Sequence, residues 1–213
     1  FLDLINAWQW CIFASRMPFS NPAIKNVIFD LGGVLLNLSV PATLQAFAGI
    51  SGKPLEEVKA AVSRPEFLDY EKGLISDAEF RTAVRDHLQT DASDDVIDSA
   101  WNAMLGDIPR ARLALLEQLK TDYRTFLLSN TNGIHVQAFT ARLHQDHKVS
   151  SLDHYFEKVY YSHVMKLRKP DVVIYEAVLS DSGLHAEESL FLDDNLHNIE
   201  GAREAGLNAI HIT

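Results

Sequence analysis

Lys25-Asn26-Val27-Ile28-Phe29-Asp30-Leu31-Gly32-Gly33-Val34-Leu35 is the stretch on which the fold of this chain turns. Val27 to Phe29 is a short apolar run of β-branched and aromatic side chains, the composition of a buried strand. A carboxylate follows at once, and then two glycines. Asp30, at the carboxyl end of a strand with backbone free to bend around it, suits a nucleophile that faces a phosphate. The same residues also describe a turn aspartate closing a core strand. What lies on either side decides between them.

Downstream, Leu38 to Gly106 is helical in pattern and contains no convincing strand. Pro54 fits a first helical position, with Glu56 and Glu57 at the positive end of the dipole. Ser76-Asp77-Ala78-Glu79 is a capping box opening a helix through Phe80, Val84 and Leu88. Ser93, Asp94 and Asp95 open another, with Val96, Ile97, Ala100, Trp101 and Met104 on one stripe. Gly73 and Gly106 fall where helices should stop. The expectation is a bundle of about four helices inserted after the first strand.

From Asp107 the pattern alternates. Asp107 and Pro109 cap a helix carrying Leu113, Leu116 and Leu119, and Thr125 to Leu128 is a strand ending at Ser129-Asn130. A helix follows around Val136 and Phe139, then a strand over Lys158 to Tyr161. Pro170 opens a helix through Ile174, Ala177 and Val178. Leu190 to Leu192 is a strand ending at Asp193-Asp194. A helix through Ile199 and Ala202 stops at Gly206, and Ala209 to Ile212 is the last strand. Strand–helix alternation with near-continuous apolar strands predicts an α/β fold with a doubly wound parallel sheet. The expected organisation is an N-terminal extension over 1–20, a core domain from 21–37 and 107–213, and an inserted helical-bundle cap domain over 38–106. Asp30, Ser129 and Asp193-Asp194 then lie just past strand carboxyl ends, the edge where open α/β sheets bind ligands.

Composition narrows the function. The chain has 213 residues, 47% hydrophobic and 23% charged, the balance of a soluble globular protein. A formal net charge of −10 argues against nucleic-acid binding. A small phosphorylated substrate remains compatible, because a bound cation inverts the local field. Cys11 is the single cysteine, so no disulfide framework or cysteine-based zinc site is expected, and a reducing, cytoplasmic setting fits. Trp8, Trp10, Ile12 and Phe13 crowd a start too short to span a bilayer and lacking the marks of a signal peptide. Residues 1–16 therefore read as a leader, an upstream extension or an addition outside the fold, with Met17-Pro18 a plausible native start. Neither a membrane nor a nucleic acid is expected as partner, and the oligomeric state is not legible.

Four motifs appear in order: Asp30-Leu31-Gly32-Gly33-Val34; Leu128-Ser129-Asn130-Thr131-Asn132; Arg168-Lys169-Pro170 with Tyr175; and Phe191-Leu192-Asp193-Asp194-Asn195 running to Asn198-Ile199-Glu200-Gly201-Ala202. On these the sequence resembles the haloacid dehalogenase superfamily, most of whose members are magnesium-dependent phosphatases. The wording of the second and fourth motifs is similar to a branch with sugar-phosphate (glucose-1-phosphate type) phosphatases. The resemblance covers nearly all of residues 25–213 and implies these roles. Asp30 attacks phosphorus and forms an aspartyl-phosphate; Ser129 hydrogen-bonds the transferring group and Lys169 neutralises it. Asp30, Asp194 and the Gly32 carbonyl hold Mg²⁺, with Asp193 and Asn198 supporting its water shell. Asn130, Gly32, Gly33 and Glu71 fall at the substrate, a small phosphorylated metabolite, and the inserted helices correspond to a cap that closes over it.

Electrostatics argues the same way. A carboxylate nearing a phosphate is repelled by about 4 kcal/mol per pair of unit charges at 4 Å and an effective dielectric near 20. A cluster of Asp30, Asp193 and Asp194 needs a hard cation, and Mg²⁺ takes oxygen ligands. Lys169 and Ser129 act as fixed stabilisers of charge on the phosphoryl oxygens. Each residue alone also has a plain structural role: Asp193-Asp194 as a helix cap, Ser129-Asn130 as a turn, Lys169 as a solvated loop lysine. His144, His147, His154 and His163 lack the spacing of a metal site, and Trp101 and Met104 fit a cap core.

Most phosphatases of the superfamily carry a second Asp two residues after the nucleophile as general acid and base; here that position is Gly32. General acid–base assistance is typically worth 10²–10⁴-fold. Substrates whose leaving group needs little protonation, such as anomeric sugar phosphates or aryl phosphates, are therefore expected, with Glu71 a candidate replacement acid or else a solvated helix-end carboxylate. The alternatives are a 2-haloacid dehalogenase, whose chemistry leaves the acidic pair unused, and a non-catalytic phospho-ligand sensor. A signalling receiver shares the residue types, but its acidic pair precedes the phosphorylated Asp, the reverse of the order here.

Overall fold

The computed structural model describes residues 24–213. The expectations for the N-terminal extension and for Cys11 lie outside the described residues. Strand β1 (Asn26–Phe29) leads into five consecutive helices: α1 (Val40–Ser51), α2 (Leu55–Val62), α3 (Pro65–Glu71), α4 (Asp77–Leu88) and α5 (Asp94–Asn102). The alternating part follows as α6 (Arg110–Leu119), β2 (Arg124–Ser129), α7 (Gly133–His147), β3 (Lys158–Tyr161), α8 (Ser162–Met165), α9 (Val172–Ser182), β4 (Ser189–Asp193), α10 (Leu196–Glu204) and β5 (Asn208–His211).

The strands form one parallel sheet in the order β3-β2-β1-β4-β5. Successive strand side chains point to opposite faces, and both faces are covered. Val27, Phe29, Leu127, Leu190 and Leu192 pack with Leu113, Leu116, Phe139 and Leu143 of α6 and α7. Ile28, Phe126, Leu128 and Phe191 pack with Ile174, Tyr175, Val178, Ile199 and Ala202 of α9 and α10. That is why β1 and β4 are buried along their whole length and read as unbroken apolar runs. The register sets Phe29 beside Leu127 and Leu192, so Asp30 and Asp193 emerge at one level of the sheet edge.

The inserted helices carry their own core of Phe47, Val58, Phe67, Tyr70, Phe80, Val84, Leu88, Ile97 and Trp101. Tyr70 stacks on Phe80 with ring centroids 4.1 Å apart. The capping box at Ser76 forms as its sequence requires: Ser76 Oγ accepts from Glu79 N, and Glu79 Oε2 accepts from Ser76 N at 2.7 Å. There are five helices where the pattern suggested about four. Arg64 stands before Pro65, adopts an extended backbone, and so separates α2 from α3.

Other local expectations need correction. Val96 is 42% exposed, because Ile97, Ala100 and Trp101 already define the buried helical face and position 96 falls to its side. Helix α5 ends at Asn102, well before Gly106. Gly106 instead lets two crossing segments touch: its amide donates to Asn37 O at 2.7 Å, and a side chain there would meet that same carbonyl. Asp107 does not cap α6; its carboxylate accepts from Asn37 Nδ2 at 2.8 Å across the same crossing. Pro54 sits one residue before α2, and Pro170 two residues before α9. Among the described residues no helix is long and apolar enough to cross a membrane.

Candidate active site

Asp30, Ser129, Asp193 and Asp194 stand at or just beyond the carboxyl ends of β1, β2 and β4. The Asp30 amide donates to Leu192 O at 2.8 Å, continuing the sheet ladder by one residue and fixing the carboxylate against β4. Lys169 comes from the loop before α9, and only 1% of its surface is exposed. Its ammonium donates to Asp30 Oδ1 at 2.6 Å and to Asp193 Oδ2 at 2.7 Å.

A polar brace fixes this lysine and its partners. Asn130 Oδ1 accepts from Lys169 N at 2.9 Å, while Asn130 Nδ2 donates to Lys169 O at 3.0 Å. The asparagine of the second motif thus clamps the backbone of the third. Asn198 Nδ2 donates to both Asp193 oxygens at 3.0 Å, and the Asn195 amide donates to Asp193 Oδ1 at 2.8 Å. Tyr175 completes the support by donating to Asn198 O at 2.7 Å. Gly201 lets α10 approach the lysine loop, since a Cβ there would collide with the Pro170 carbonyl.

The carboxylates of Asp30, Asp193 and Asp194 come within 4.8 Å of one another, the one such metal-competent group among the described residues. Gly33 has φ +72° and lies directly under Asp194, where any side chain would strike the carboxylate. Burial pushes the Asp30 carboxyl up to about 7, with Asp193 adding to the rise and Lys169 opposing it. Burial alone would lower the Lys169 ammonium, but Asp30 and Asp193 outweigh it and hold it above its ordinary value. Asp194 is also raised, by burial first and by Asp193 second. One ammonium among three carboxylates leaves an all-oxygen donor set with excess negative charge, which fits a hard divalent ion such as Mg²⁺. His144, His147, His154 and His163 contribute nothing to it.

Over this centre lies a cavity of about 440 Å³ whose walls come from both groups of helices and the strand ends. Asp30, Gly32, Ser129, Asn130, Lys169, Asp194 and Asn198 line its floor, and Glu71 and Arg168 its side. Glu71 is not free in solvent: its Oε2 accepts from Arg168 Nη2 at 2.8 Å and Nε at 3.2 Å. Gly32 has no side chain, and Leu38 Cδ1 occupies the space, 2.5 Å from where a Cβ on Gly32 would stand. Another hollow of about 580 Å³ lies by the amino-terminal ends of the strands. There Lys25 pairs with Glu188 and Arg124 with Glu157, and no acidic cluster converges.

Two features were not foreseen from the sequence. Ser162 Oγ accepts from Thr131 N at 2.9 Å and donates to Glu71 O at 2.6 Å, tying the inserted helices to the motif loop. Leu38, Val40 and Leu68 form an apolar wall of the cavity. Their sequence signal was weak: each is a large apolar residue off the buried helical stripe.

Residues 24–206 match the family model for haloacid dehalogenase-like hydrolases. A solved HAD family enzyme from Bacteroides thetaiotaomicron, in complex with magnesium and inorganic phosphate, is 37% identical with a TM-score of 0.80, covering 89% of this chain and 94% of that one. A D-ribitol-5-phosphate phosphatase from Bacteroides thetaiotaomicron is 27% identical over 187 residues, 86% of this chain and 89% of that protein. The sesquiterpene phosphatase astK of Aspergillus oryzae is 26% identical over 192 residues, covering 89% of this chain and 90% of that protein.

Proposed function

This chain belongs to the haloacid dehalogenase-like hydrolase family, and from that premise we propose that Asp30 is the nucleophile of a Mg²⁺-dependent phosphatase working through an aspartyl-phosphate. The protein is a phosphoric monoester hydrolase acting on phosphorylated small molecules, with Mg²⁺ as its cofactor. The observation that carries the assignment is the convergence of Asp30, Asp193 and Asp194 around the buried Lys169 ammonium at one edge of the sheet.

Asp30, Asp194 and the Gly32 carbonyl would hold the ion, with Asp193 and Asn198 supporting its water shell. When bound, it supplies positive charge that screens the nucleophile from the phosphate. An Asp30 oxygen attacks phosphorus, and the bond from phosphorus to the ester oxygen breaks with its electron pair passing to the leaving alkoxide. Gly32 offers no acid, so the alkoxide takes its proton from water. Lys169 and Ser129 stabilise the non-bridging oxygens throughout. Water then attacks phosphorus, the bond to Asp30 breaks, and inorganic phosphate leaves with the carboxylate restored. Asn130, Gly33 and Glu71 border the substrate. A cytoplasmic setting and a small-molecule rather than nucleic-acid partner fit the single Cys11 and the net charge of −10.

Phosphate release from a phosphomonoester panel, with and without Mg²⁺, for the native protein and Asp30→Asn, tests this. Release that requires both the metal and Asp30 is expected. Chloride release from a 2-haloacid without Mg²⁺ would replace the assignment with a dehalogenase, and phosphate binding without turnover would replace it with a sensor.

A further inference from the structure

The two phosphatases compared above are named for chemically opposite substrates, a polyol phosphate and a sesquiterpene, so relationship alone does not choose between them. The cavity does. Resting on the phosphatase reading, we infer that the alcohol released here is apolar and seats against Leu38, Val40, Leu44, Val62, Leu68 and Met104.

A polyol needs a hydrogen-bond partner for each hydroxyl it buries, and a buried group left unpaired costs about 1–3 kcal/mol. The wall facing the floor carboxylates offers few. Thr43 Oγ1 donates to Trp101 O at 2.9 Å and accepts from Met104 N at 3.0 Å. Trp101 Nε1 donates to Asn132 Oδ1 at 3.4 Å. His135 has both ring nitrogens engaged, by Trp101 O at 3.2 Å and Asn132 Nδ2 at 3.2 Å. Glu71 Oε2 accepts from Arg168 Nε and Nη2, which leaves Glu71 Oε1 and Arg168 Nη1 as the polar atoms at that edge. Apart from that edge, what this wall turns towards the cavity is hydrocarbon.

That hydrocarbon is also accessible. Leu38, Val40 and Leu68 are 43%, 54% and 47% exposed, although the helices beside them bury a complete apolar core elsewhere. Large apolar side chains gathered at the mouth of a cleft mark a surface that binds apolar matter. Leu38 extends this surface down to the nucleophile, filling the space above Gly32 where a side chain would otherwise stand.

The test uses the Mg²⁺-loaded protein and aryl phosphates of matched leaving-group pKa, para-methyl, para-propyl and para-pentyl, so that reactivity is constant and only apolar length varies. D-ribitol 5-phosphate and glycerol phosphate are set against n-pentyl and n-propyl phosphate, alkyl esters of similar leaving-group pKa and matching chain length, with para-nitrophenyl phosphate as the activated control. The expected result is a rise in kcat/KM of about fourfold per methylene along the aryl series, a flatter rise in Leu68→Asn, and each polyol ester below the alkyl ester of matching chain length. A flat or falling aryl series, or polyol esters above the n-alkyl ones, overturns the inference while turnover of the activated control keeps the phosphatase reading. Absence of phosphate release from every ester, the control included, overturns both.

Discussion

Lys169 Nζ lies 2.6 Å from Asp30 Oδ1, and the ammonium is shared with Asp193 rather than given to Asp30 alone. The lysine therefore holds two carboxylates together and, in the proposed mechanism, stands where phosphoryl charge arrives. Lys169→Met keeps the stem and removes the charge. Steady-state kinetics should show kcat lower by about 10²–10³-fold, the size of loss when a fixed oxyanion donor is removed. Removing one partner of a buried ion pair also destabilises, by about 3–5 kcal/mol, so the melting temperature should fall and partly recover in Mg²⁺. Near-native turnover in this variant would remove Lys169 from the chemistry.

Gly33 and Asp194 are in such close approach that the smallest side chain disturbs the site. The position has φ +72°, and an added Cβ would run into the Asp194 carboxylate. Gly33→Ala should weaken Mg²⁺ binding by about 10–100-fold, as displacing an element of a metal site does, with little change in far-UV circular dichroism. An unchanged Mg²⁺ titration would mean that Asp194 does not hold the ion.

His135 gives stability a pH dependence whose sign is fixed by its burial. Burial lowers it to about 4 from an ordinary 6.5. The neutral ring donates from Nε2 to Trp101 O and accepts at Nδ1 from Asn132 Nδ2, and a second proton would break the latter bond. The folded state thus resists a proton that the unfolded chain accepts. This contribution is present in full above about pH 6.5 and is lost as pH falls from there towards 4, about 3 kcal/mol across the window. Denaturant titrations should show that slope in the native protein and a smaller one in His135→Gln. Equal slopes would place the titration elsewhere.

With Gly32 in place of an acid, and Leu38 over it, the leaving group departs without help from position 32. Turnover of aryl phosphates of graded leaving-group pKa should fall steeply as that pKa rises. Glu71 is engaged by Arg168, so Glu71→Gln should lower kcat/KM by no more than about tenfold, through a loosened edge of the cavity, and leave the shape of the pH–rate profile unchanged. A flat leaving-group dependence in the native protein, lost together with one limb of that profile in Glu71→Gln, would make Glu71 the acid.

The parallel sheet was legible because its strands are buried on both faces, and the short apolar runs Val27–Phe29 and Phe126–Leu128 are each followed at once by a polar residue, Asp30 and Ser129. The inserted helices were legible as helices but not in number: the break at Arg64-Pro65 is a backbone effect that the run of apolar spacing hides. Gly106 and Asp107 carry the marks of a helix stop and a helix cap, yet both serve the crossing at Asn37, a contact about 70 positions away in sequence. Lys169, Asn130 and Asn198 could be named from their motifs, but the clamp between Asn130 and the Lys169 backbone depends on how two loops meet. The apolar wall was the least legible part. Whether Leu38, Val40 and Leu68 face solvent, core or substrate depends on how the helices rest over the sheet edge, and spacing within one helix does not encode that.

Rapid acid quench of the Mg²⁺-loaded protein with a phosphate-labelled ester, followed by peptide mapping, tests the central claim most directly. Label released by hydroxylamine, confined to the peptide containing Asp30 and absent in Asp30→Asn, is the predicted result. Full turnover with no label on the protein, or with label on another residue, would contradict it.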